Sequence, residues 1–299
     1  KQSTSDFYSV TTGETSMNPD KSAPIIDDRN WHQLTVGERI RQLEVEGYVV
    51  LPDLLDADHI ARLKAQTATF ETTPVDYSVH QRGRNNLEFV GGAVSDLIAF
   101  PPTLDFLRTL CGNELVLMSY DYSSSDPGHP GISFHCDGQP WGSAIFGAQF
   151  SCPKLLRVLY YLDDLTPEVS PFRVIPRSHL SYHNQANPYL RYDAHPEEVM
   201  ITCGAGSAVV FDHCLFHGNY PNTGDYAREA LQLAYRPTWA GPSEAVEPWD
   251  AEEVAKLPTA VQELMGDRGG RIWIPEAGNK PPDMPTAAPG LNPSRWDLE

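Results

Sequence analysis

Glu114-Leu115-Val116-Leu117-Met118-Ser119-Tyr120-Asp121-Tyr122 is where the chain changes its periodicity, and that change decides the fold class. Before Gly112, apolar residues recur at helical spacing; from Glu114 onward they come in short runs with a period near two. Runs of the same kind follow at Ile132–Phe134, Leu155–Leu162, Phe172–Ile175, Val199–Thr202, Ser207–Asp212 and Arg228–Tyr235. Loops of Gly, Pro, Asp and Asn separate them, as turns separate strands. Upstream, Val36–Glu46 places Val36, Ile40 and Leu43 on one helical face and is closed by Gly47. Tyr48–Leu51 then reads as a strand. Asp56–Phe70 is a second amphipathic helix with Asp56 placed to cap it, and Pro102–Cys111 is a third. Helices first, then a succession of short strands, predicts a mainly β protein: a sandwich or barrel with helices packed on one side.

The two ends differ from this middle. Residues from Lys1 to about Asp28 are rich in Ser, Thr, Asp and Pro and read as a flexible arm. Met17 offers a natural start, so the first sixteen residues read as a possible addition to the natural chain. Ala251–Met265 has helical spacing interrupted at Pro258, and from Pro275 the chain is Pro-rich and extended. The expectation is one domain over 29–299, with its barrel core at about 114–237 and a helix and tail over 238–299.

Charge and cysteine content exclude several classes. Against 22 Lys and Arg stand 40 Asp and Glu, a formal charge of −18 that repels nucleic-acid backbones and anionic membranes. No apolar run approaches the roughly 20 residues of a membrane span. Five scattered cysteines (Cys111, Cys136, Cys152, Cys203, Cys214) form no CxxC pair, so neither a zinc knuckle nor a disulfide framework is indicated. A reducing, cytoplasmic setting is the simplest reading.

His135 and Asp137 alternate along an extended segment, so their side chains point to one face. Eighty residues later His217 follows, within Asp212-His213-Cys214-Leu215-Phe216-His217-Gly218. Alone, a His-X-Asp triplet or a single His is common in surface loops. His213 also competes with His217, sharing its face if one strand runs through both. Taken together, two imidazoles and a carboxylate leave open positions on an octahedral metal and suit non-haem Fe(II) oxygen chemistry. Arg228, eleven residues past His217, opens an apolar run and offers a permanently charged fork for a co-substrate carboxylate.

In the order of its motifs the chain resembles the phytanoyl-CoA dioxygenase family of Fe(II)- and 2-oxoglutarate-dependent oxygenases. The resemblance spans about Gly47 to Pro237. It rests on Gly47–Pro52, Leu162–Glu168, Val174–His179, Gly204–Phe211 and the spacing from His217 to Arg228. It implies a double-stranded β-helix, a jelly-roll or cupin-like barrel. It also implies that His135, Asp137 and His217 ligate iron and that Arg228 binds the C5 carboxylate of 2-oxoglutarate, with O2 as the oxidant. Relatives that halogenate tend to carry a small residue at the Asp137 position, so Asp137 implies hydroxylation-type chemistry. Two departures stand out. The family's Glu-Asn-Gly is Glu168-Val169-Ser170 here, and its Pro-Gly-Ser-His is Pro176-Arg177-Ser178-His179. They bear on loop geometry more than on the metal ligands.

Other polar residues are candidates for the same site. Tyr120, Tyr122 and Ser124 share one strand face and either hydrogen-bond the co-substrate or simply pack. Arg157 interrupts the apolar run Leu155–Tyr160 and needs an anion, whether substrate, co-substrate or an internal carboxylate. Asn219 either reaches the 2-oxoglutarate or caps a turn. Gln139 and Trp141 follow the first ligand pair on the loop Gly138–Phe150, which contains no Lys, Arg, Asp or Glu and reads as a lid or a fixed cover. Cys136 faces away from its neighbours and reads as a small buried hydrophobe. The expected partner is a small organic substrate, natural-product-like or amino-acid-like. The competing readings are a non-catalytic metal-binding barrel and a barrel dioxygenase that does not use 2-oxoglutarate.

Overall fold

Local signals place the N-terminal elements. In this computed structural model, which describes residues 24–137, 155–180, 194–242, 246–270, 296, 298 and 299, the chain enters as β1 (Ile25–Ile26). The expected arm therefore gives way to paired backbone before Asp28. Helix α1 (Val36–Glu46) opens on a capping box: Thr35 Oγ1 accepts from the Glu38 N–H at 3.2 Å, and Glu38 Oε2 accepts from the Thr35 N–H at 2.9 Å. It ends at Gly47, whose φ of 91° only glycine adopts cheaply. The buried strand β2 (Tyr48–Leu51) follows, then α2 (Ala57–Thr67), capped by Asp56 accepting from the His59 N–H at 2.8 Å. The hairpin β3 (Thr73–Val75) and β4 (Ser78–Arg84), with the single-turn α3 (Gly92–Asp96), lacks an apolar pattern and is an addition to the expected elements. Helix α4 (Pro101–Cys111) starts on proline, a residue suited to a first turn.

The strand region then builds two sheets. Its members are β5 (Leu115–Ser125), β6 (Ile132–His135), β7 (Leu156–Tyr161), β8 (Phe172–Val174), β9 (Val199–Ile201), β10 (Ala208–Asp212), β11 (His217–Asn219) and β12 (Arg228–Pro237). Two short helices, α5 (Ala251–Val254) and α6 (Thr259–Gln262), flank the break at Pro258. The smaller sheet has the order β1-β9-β8-β11-β6, and the larger β2-β10-β7-β12-β5-β4-β3. Every pairing is antiparallel except β1 with β9. The sheets meet face to face where Phe172 of β8 lies 5.2 Å from Phe211 of β10, ring centre to ring centre. This is the jelly-roll barrel that the strand pattern and the resemblance led us to expect.

The two faces of the large sheet do different work. Cross-strand partners point the same way, so the register puts Ser119, Asp121, Ser123 and Ser125 of β5 with Arg228, Ala230, Gln232 and Ala234 of β12. Arg157, Leu159 and Tyr161 of β7 and Phe211 of β10 share that face, which looks toward the small sheet. The opposite face carries Tyr120, Tyr122, Tyr160, Leu231, Leu233 and Tyr235 and is covered by helices. Tyr235 O–H donates to the Ile98 carbonyl at 2.8 Å, and Tyr160 shares a hydrogen bond with Thr103 of α4. Glu229 accepts from Tyr122 O–H at 2.7 Å and from Thr67 of α2 at 2.8 Å.

The C-terminal chain is held through main-chain atoms. Arg236, wholly buried at the end of β12, donates to the carbonyls of Pro237, Thr238, Ala240, Asp267, Arg268 and Gly270. The tail returns to α1, where the Gly37 N–H donates to the Leu298 carbonyl at 2.9 Å. A Cβ at Gly37 would lie 2.2 Å from the Trp296 carbonyl oxygen, so only glycine admits the tail there. No helix among the described residues is long and apolar enough to cross a membrane.

Candidate metal centre

His135 closes β6, Asp137 lies two residues beyond it, and His217 opens β11, the neighbouring strand. His135 and His217 are register partners, which brings their rings to 4.3 Å between centroids. One ligand atom from each of the three residues falls within 4.8 Å of the others, a spacing that can hold a metal ion. His135 Nε2 is 3.6 Å from Asp137 Oδ1, and His217 Nε2 is 3.8 Å from Asp137 Oδ2. Each imidazole turns Nδ1 toward a carbonyl two residues back, Ser133 at 3.0 Å and Leu215 at 2.9 Å. A proton on Nδ1 satisfies that contact and leaves an Nε2 lone pair directed at the centre. The chemistry of this donor set fits a divalent first-row metal.

The electrostatics favour metal-ready protonation states. Burial pushes the His217 imidazole down to about 3, and the neighbouring His135 adds to the shift. Burial alone would raise the Asp137 carboxyl, but the Arg157 guanidinium and the surrounding imidazoles hold it well below the usual carboxylate range. Arg157 Nε lies 3.0 Å from Asp137 Oδ2. At neutral pH the site therefore presents a neutral His217 imidazole and an Asp137 carboxylate.

Arg228 sits at the far end of the same concave face. Its side chain is 2% exposed, and among the described residues no carboxylate lies within ion-pair distance of it. It donates to Ser125 Oγ at 2.6 Å and lies 5.7 Å from the Tyr161 ring centre. Its Nε, the Tyr161 hydroxyl and both ring nitrogens of buried His129 have no hydrogen-bond partner among the described residues. A buried cation in such a setting carries a large desolvation cost unless an anion joins it. Donors clustered around an unpaired guanidinium fit a carboxylate ligand.

Several sequence candidates are placed elsewhere. Tyr120, Tyr122 and Ser124 face the helices: Tyr120 is sealed in the core, Tyr122 bonds Glu229, and Ser124 Oγ donates to Asp126 at 3.2 Å. Strand parity puts their alternates, Ser119, Asp121, Ser123 and Ser125, on the metal side, one residue away from the expected set. His213 is not a register neighbour of His217. Strand β10 stops at Asp212, the Leu215 N–H donates back to the Asp212 carbonyl at 2.8 Å, and a new strand begins at His217. His213 is buried beside Asp137 and Arg157, and burial pushes its imidazole down to about 4. Asn219 Nδ2 donates to the Ser170 carbonyl at 3.2 Å, the turn-capping alternative. Arg157 pairs with an internal carboxylate, the ligand Asp137 itself. Cys136 packs with Phe134, Ile175, Cys214 and Phe216. Gln139, Trp141 and the rest of the loop Gly138–Phe150 lie outside the described residues.

The two departures from the family pattern fall on strained backbone. Ser170 has φ 47° and Arg177 has φ 67°, the left-handed region, at the two places where the pattern has glycine. Both residues thus hold a backbone conformation that glycine would adopt more cheaply. Ser178, between Arg177 and His179, accepts from the Phe216 N–H at 2.8 Å and so braces the segment leading into His217.

Solved structures of similar shape share this architecture at low sequence identity. An epimerase, SnoN, described in complex with Fe3+, alpha ketoglutarate and nogalamycin RO, superposes with a TM-score of 0.58 at 17% identity, over 81% of this chain and 96% of that one. HygX from Streptomyces hygroscopicus, with nickel, 2-oxoglutarate and hygromycin B bound, gives 0.58 at 15% identity, over 68% and 87%. SnoK, an alpha ketoglutarate-dependent carbocyclase from nogalamycin biosynthesis, gives 0.57 at 19% identity, over 74% and 89%. At such identities the likeness is one of fold. The family model described as phytanoyl-CoA dioxygenase matches residues 43–230, well over half of the chain and inclusive of every ligand candidate from His135 to Arg228. The chain belongs to the phytanoyl-CoA dioxygenase family.

Proposed function

We propose that this chain is a non-haem Fe(II)- and 2-oxoglutarate-dependent oxygenase that oxidises, by hydroxylation, an unactivated carbon of a small organic molecule, releasing succinate and CO2. The observation that carries the reading is the pairing on one concave face of a His-Asp-His cluster with a buried guanidinium that has no carboxylate partner among the described residues. A simple metal-binding scaffold has no use for the second feature, and a dioxygenase without 2-oxoglutarate gives Arg228 no task.

His135, Asp137 and His217 would hold the metal, and Arg228, Ser125 and Tyr161 would hold the distal carboxylate of 2-oxoglutarate. The bound iron supplies the oxidative decarboxylation of 2-oxoglutarate and the oxidant that attacks the substrate C–H bond. The protein's own task is position and exclusion. The Ser133 and Leu215 carbonyls hold the His135 and His217 rings by Nδ1, with Nε2 turned toward the centre. Arg228 fixes one end of the co-substrate, which lowers the orientational cost of binding the other. Phe172 and Phe211 pack around His217, with ring centres 5.5 and 4.6 Å away, and keep bulk water from that side.

The substrate class follows the related folds: nogalamycin and hygromycin B accompany two of them. We place the substrate among small natural-product-like molecules. Because other members of the fold are described as an epimerase and a carbocyclase, the outcome at the substrate carbon is the finer part of the proposal. The test is succinate release from 2-oxoglutarate under Fe(II), with and without candidate substrates, followed by mass analysis of the product. A gain of one oxygen supports hydroxylation; an unchanged mass or loss of two hydrogens redirects it. No succinate under any condition removes the oxygenase reading.

A further inference from the structure

Arg157 is the one charged side chain of the central strand β7, whose other members are Leu156, Val158, Leu159, Tyr160 and Tyr161. It crosses from the large sheet to the small sheet's metal cluster and ends 3.0 Å from Asp137 Oδ2. Its second anchor is a 3.4 Å hydrogen bond from Nη1 to Ser119 Oγ, on the inward face of β5. Asp137 is thereby divided. One oxygen, Oδ1, faces His135 at 3.6 Å; the other, Oδ2, faces His217 at 3.8 Å and forms an ion pair with the guanidinium, whose Nε–H is not aimed at it as a hydrogen bond.

A free carboxylate next to a divalent metal can offer either one oxygen or both. Two oxygens would take a coordination position that a bidentate co-substrate and dioxygen require, since three of six go to the protein. The Arg157 charge, 3.0 Å from one of them in a largely buried site, competes with the metal for it electrostatically. We propose that Arg157 is a positioning residue that holds Asp137 to single-oxygen ligation and so keeps a metal position open for the co-substrate. This rests on the metal-dependent reading above. It assigns Arg157 a role distinct from that of Arg228, whose guanidinium lies at the other end of the face and touches none of the three ligands.

The test uses the full chain loaded with Co(II), read by its visible absorption before any 2-oxoglutarate is added, and with Ni(II), read by calorimetric titration of 2-oxoglutarate. In Arg157→Gln the carboxylate is released to chelate in place of a water, so the Co(II) bands should differ in position and intensity from those of the wild type. The 2-oxoglutarate affinity should fall about tenfold or more, as it does when about nine-tenths of the protein holds the second carboxylate oxygen on the metal and is not competent to bind. Arg157→Lys keeps a cation within reach and should restore the wild-type spectrum. If Arg157 merely attracts an anionic co-substrate, affinity falls but the spectrum without 2-oxoglutarate stays unchanged, and the proposal is overturned. Should the Gln variant not fold, Arg157→Met carries the same expectation. Independently of any variant, a crystal structure of the Ni(II)-loaded wild type must show Asp137 bound through one oxygen with Arg157 on the other; two-oxygen binding overturns the proposal. Wild-type Ni(II) binding is the control, because its absence would remove the metal reading and not this assignment alone.

Discussion

Replacing Arg228 by leucine should separate stability from co-substrate binding, and the size of each effect follows from its surroundings. Arg228 is 2% exposed and has no carboxylate partner among the described residues. Its visible support is one hydrogen bond to Ser125 and the Tyr161 ring. Those contacts contribute about 1.5–3 kcal/mol for the charged hydrogen bond and up to about 2 kcal/mol for a desolvated cation over an aromatic ring. Against them stands the desolvation of an unpaired buried charge, an effective penalty of several kcal/mol. The two nearly cancel, so Arg228→Leu should leave the apo protein within about 2 kcal/mol of wild type, in either direction. The 2-oxoglutarate complex behaves differently, because there the charge has its partner. Loss of the charge-assisted contact should weaken 2-oxoglutarate binding by about 1.5–3 kcal/mol, roughly 10- to 150-fold. Urea unfolding of the apo protein gives the first quantity, and calorimetric titration of the Ni(II)-loaded protein gives the second. A variant that loses more than about 4 kcal/mol of stability while binding 2-oxoglutarate normally would refute the reasoning, since it would make Arg228 a structural residue.

His217→Ala should abolish Ni(II) binding in a calorimetric titration while His213→Ala retains it; the reverse pattern would exchange their roles. Tyr122→Phe should cost about 1–2 kcal/mol in urea unfolding, the bond to Glu229, with 2-oxoglutarate affinity unchanged within about twofold; a larger affinity change would return Tyr122 to the site. Ser170→Gly and Arg177→Gly should each stabilise the protein by about 1 kcal/mol, because a glycine relieves positive φ; a loss of stability in both would mean that their side chains, not their backbone, matter. Metal-free protein should lose stability as pH falls from 6.5 toward 4. His213 and His217 stay neutral in the fold down to about 4 and 3, whereas in the unfolded chain they protonate near 6.5. Unfolding therefore takes up protons in that window, on the order of 2 kcal/mol per histidine by pH 5. A flat profile between pH 7 and 5 would show that neither ring is buried neutral.

Most strands and three helices were legible because periodicity and caps are local: Thr35, Gly47 and Asp56 mark helix ends by their own chemistry. The hairpin of β3 and β4 was not, since Ser78-Val79-His80-Gln81-Arg82-Gly83-Arg84 is largely polar and half exposed at the sheet's margin. Ile25 and Ile26 were hidden for a different reason: two residues make no period, and their partner lies at Val199 and Met200. Within the site, His135, Asp137, His217 and Arg228 could be singled out by type and spacing. Which side of β5 faces them could not. Parity along one strand is readable, but its phase relative to Arg228 depends on the pairing of Ser125 with Arg228, a contact between residues 103 apart. A slip of one residue exchanged Tyr120, Tyr122 and Ser124 for Ser119, Asp121, Ser123 and Ser125. His213 stayed a competitor of His217 for the same reason: nothing in Asp212–His217 announces that the strand ends and another begins.

The cage around Arg236 makes the C-terminal segment tolerant of one kind of change and intolerant of another. Six carbonyls hold the guanidinium, and a carbonyl is present whatever the side chain. Residues such as Thr238 and Arg268 can therefore be exchanged widely without altering what Arg236 grips. Length is another matter: inserting or deleting a residue within 237–240 or 267–270 moves carbonyls out of a constellation set by atoms 2.6 to 3.4 Å from one side chain. Variation at these two stretches should accordingly appear as substitutions at constant length, whereas Leu257, Val261, Leu264 and Met265 between them are fixed by packing in the core.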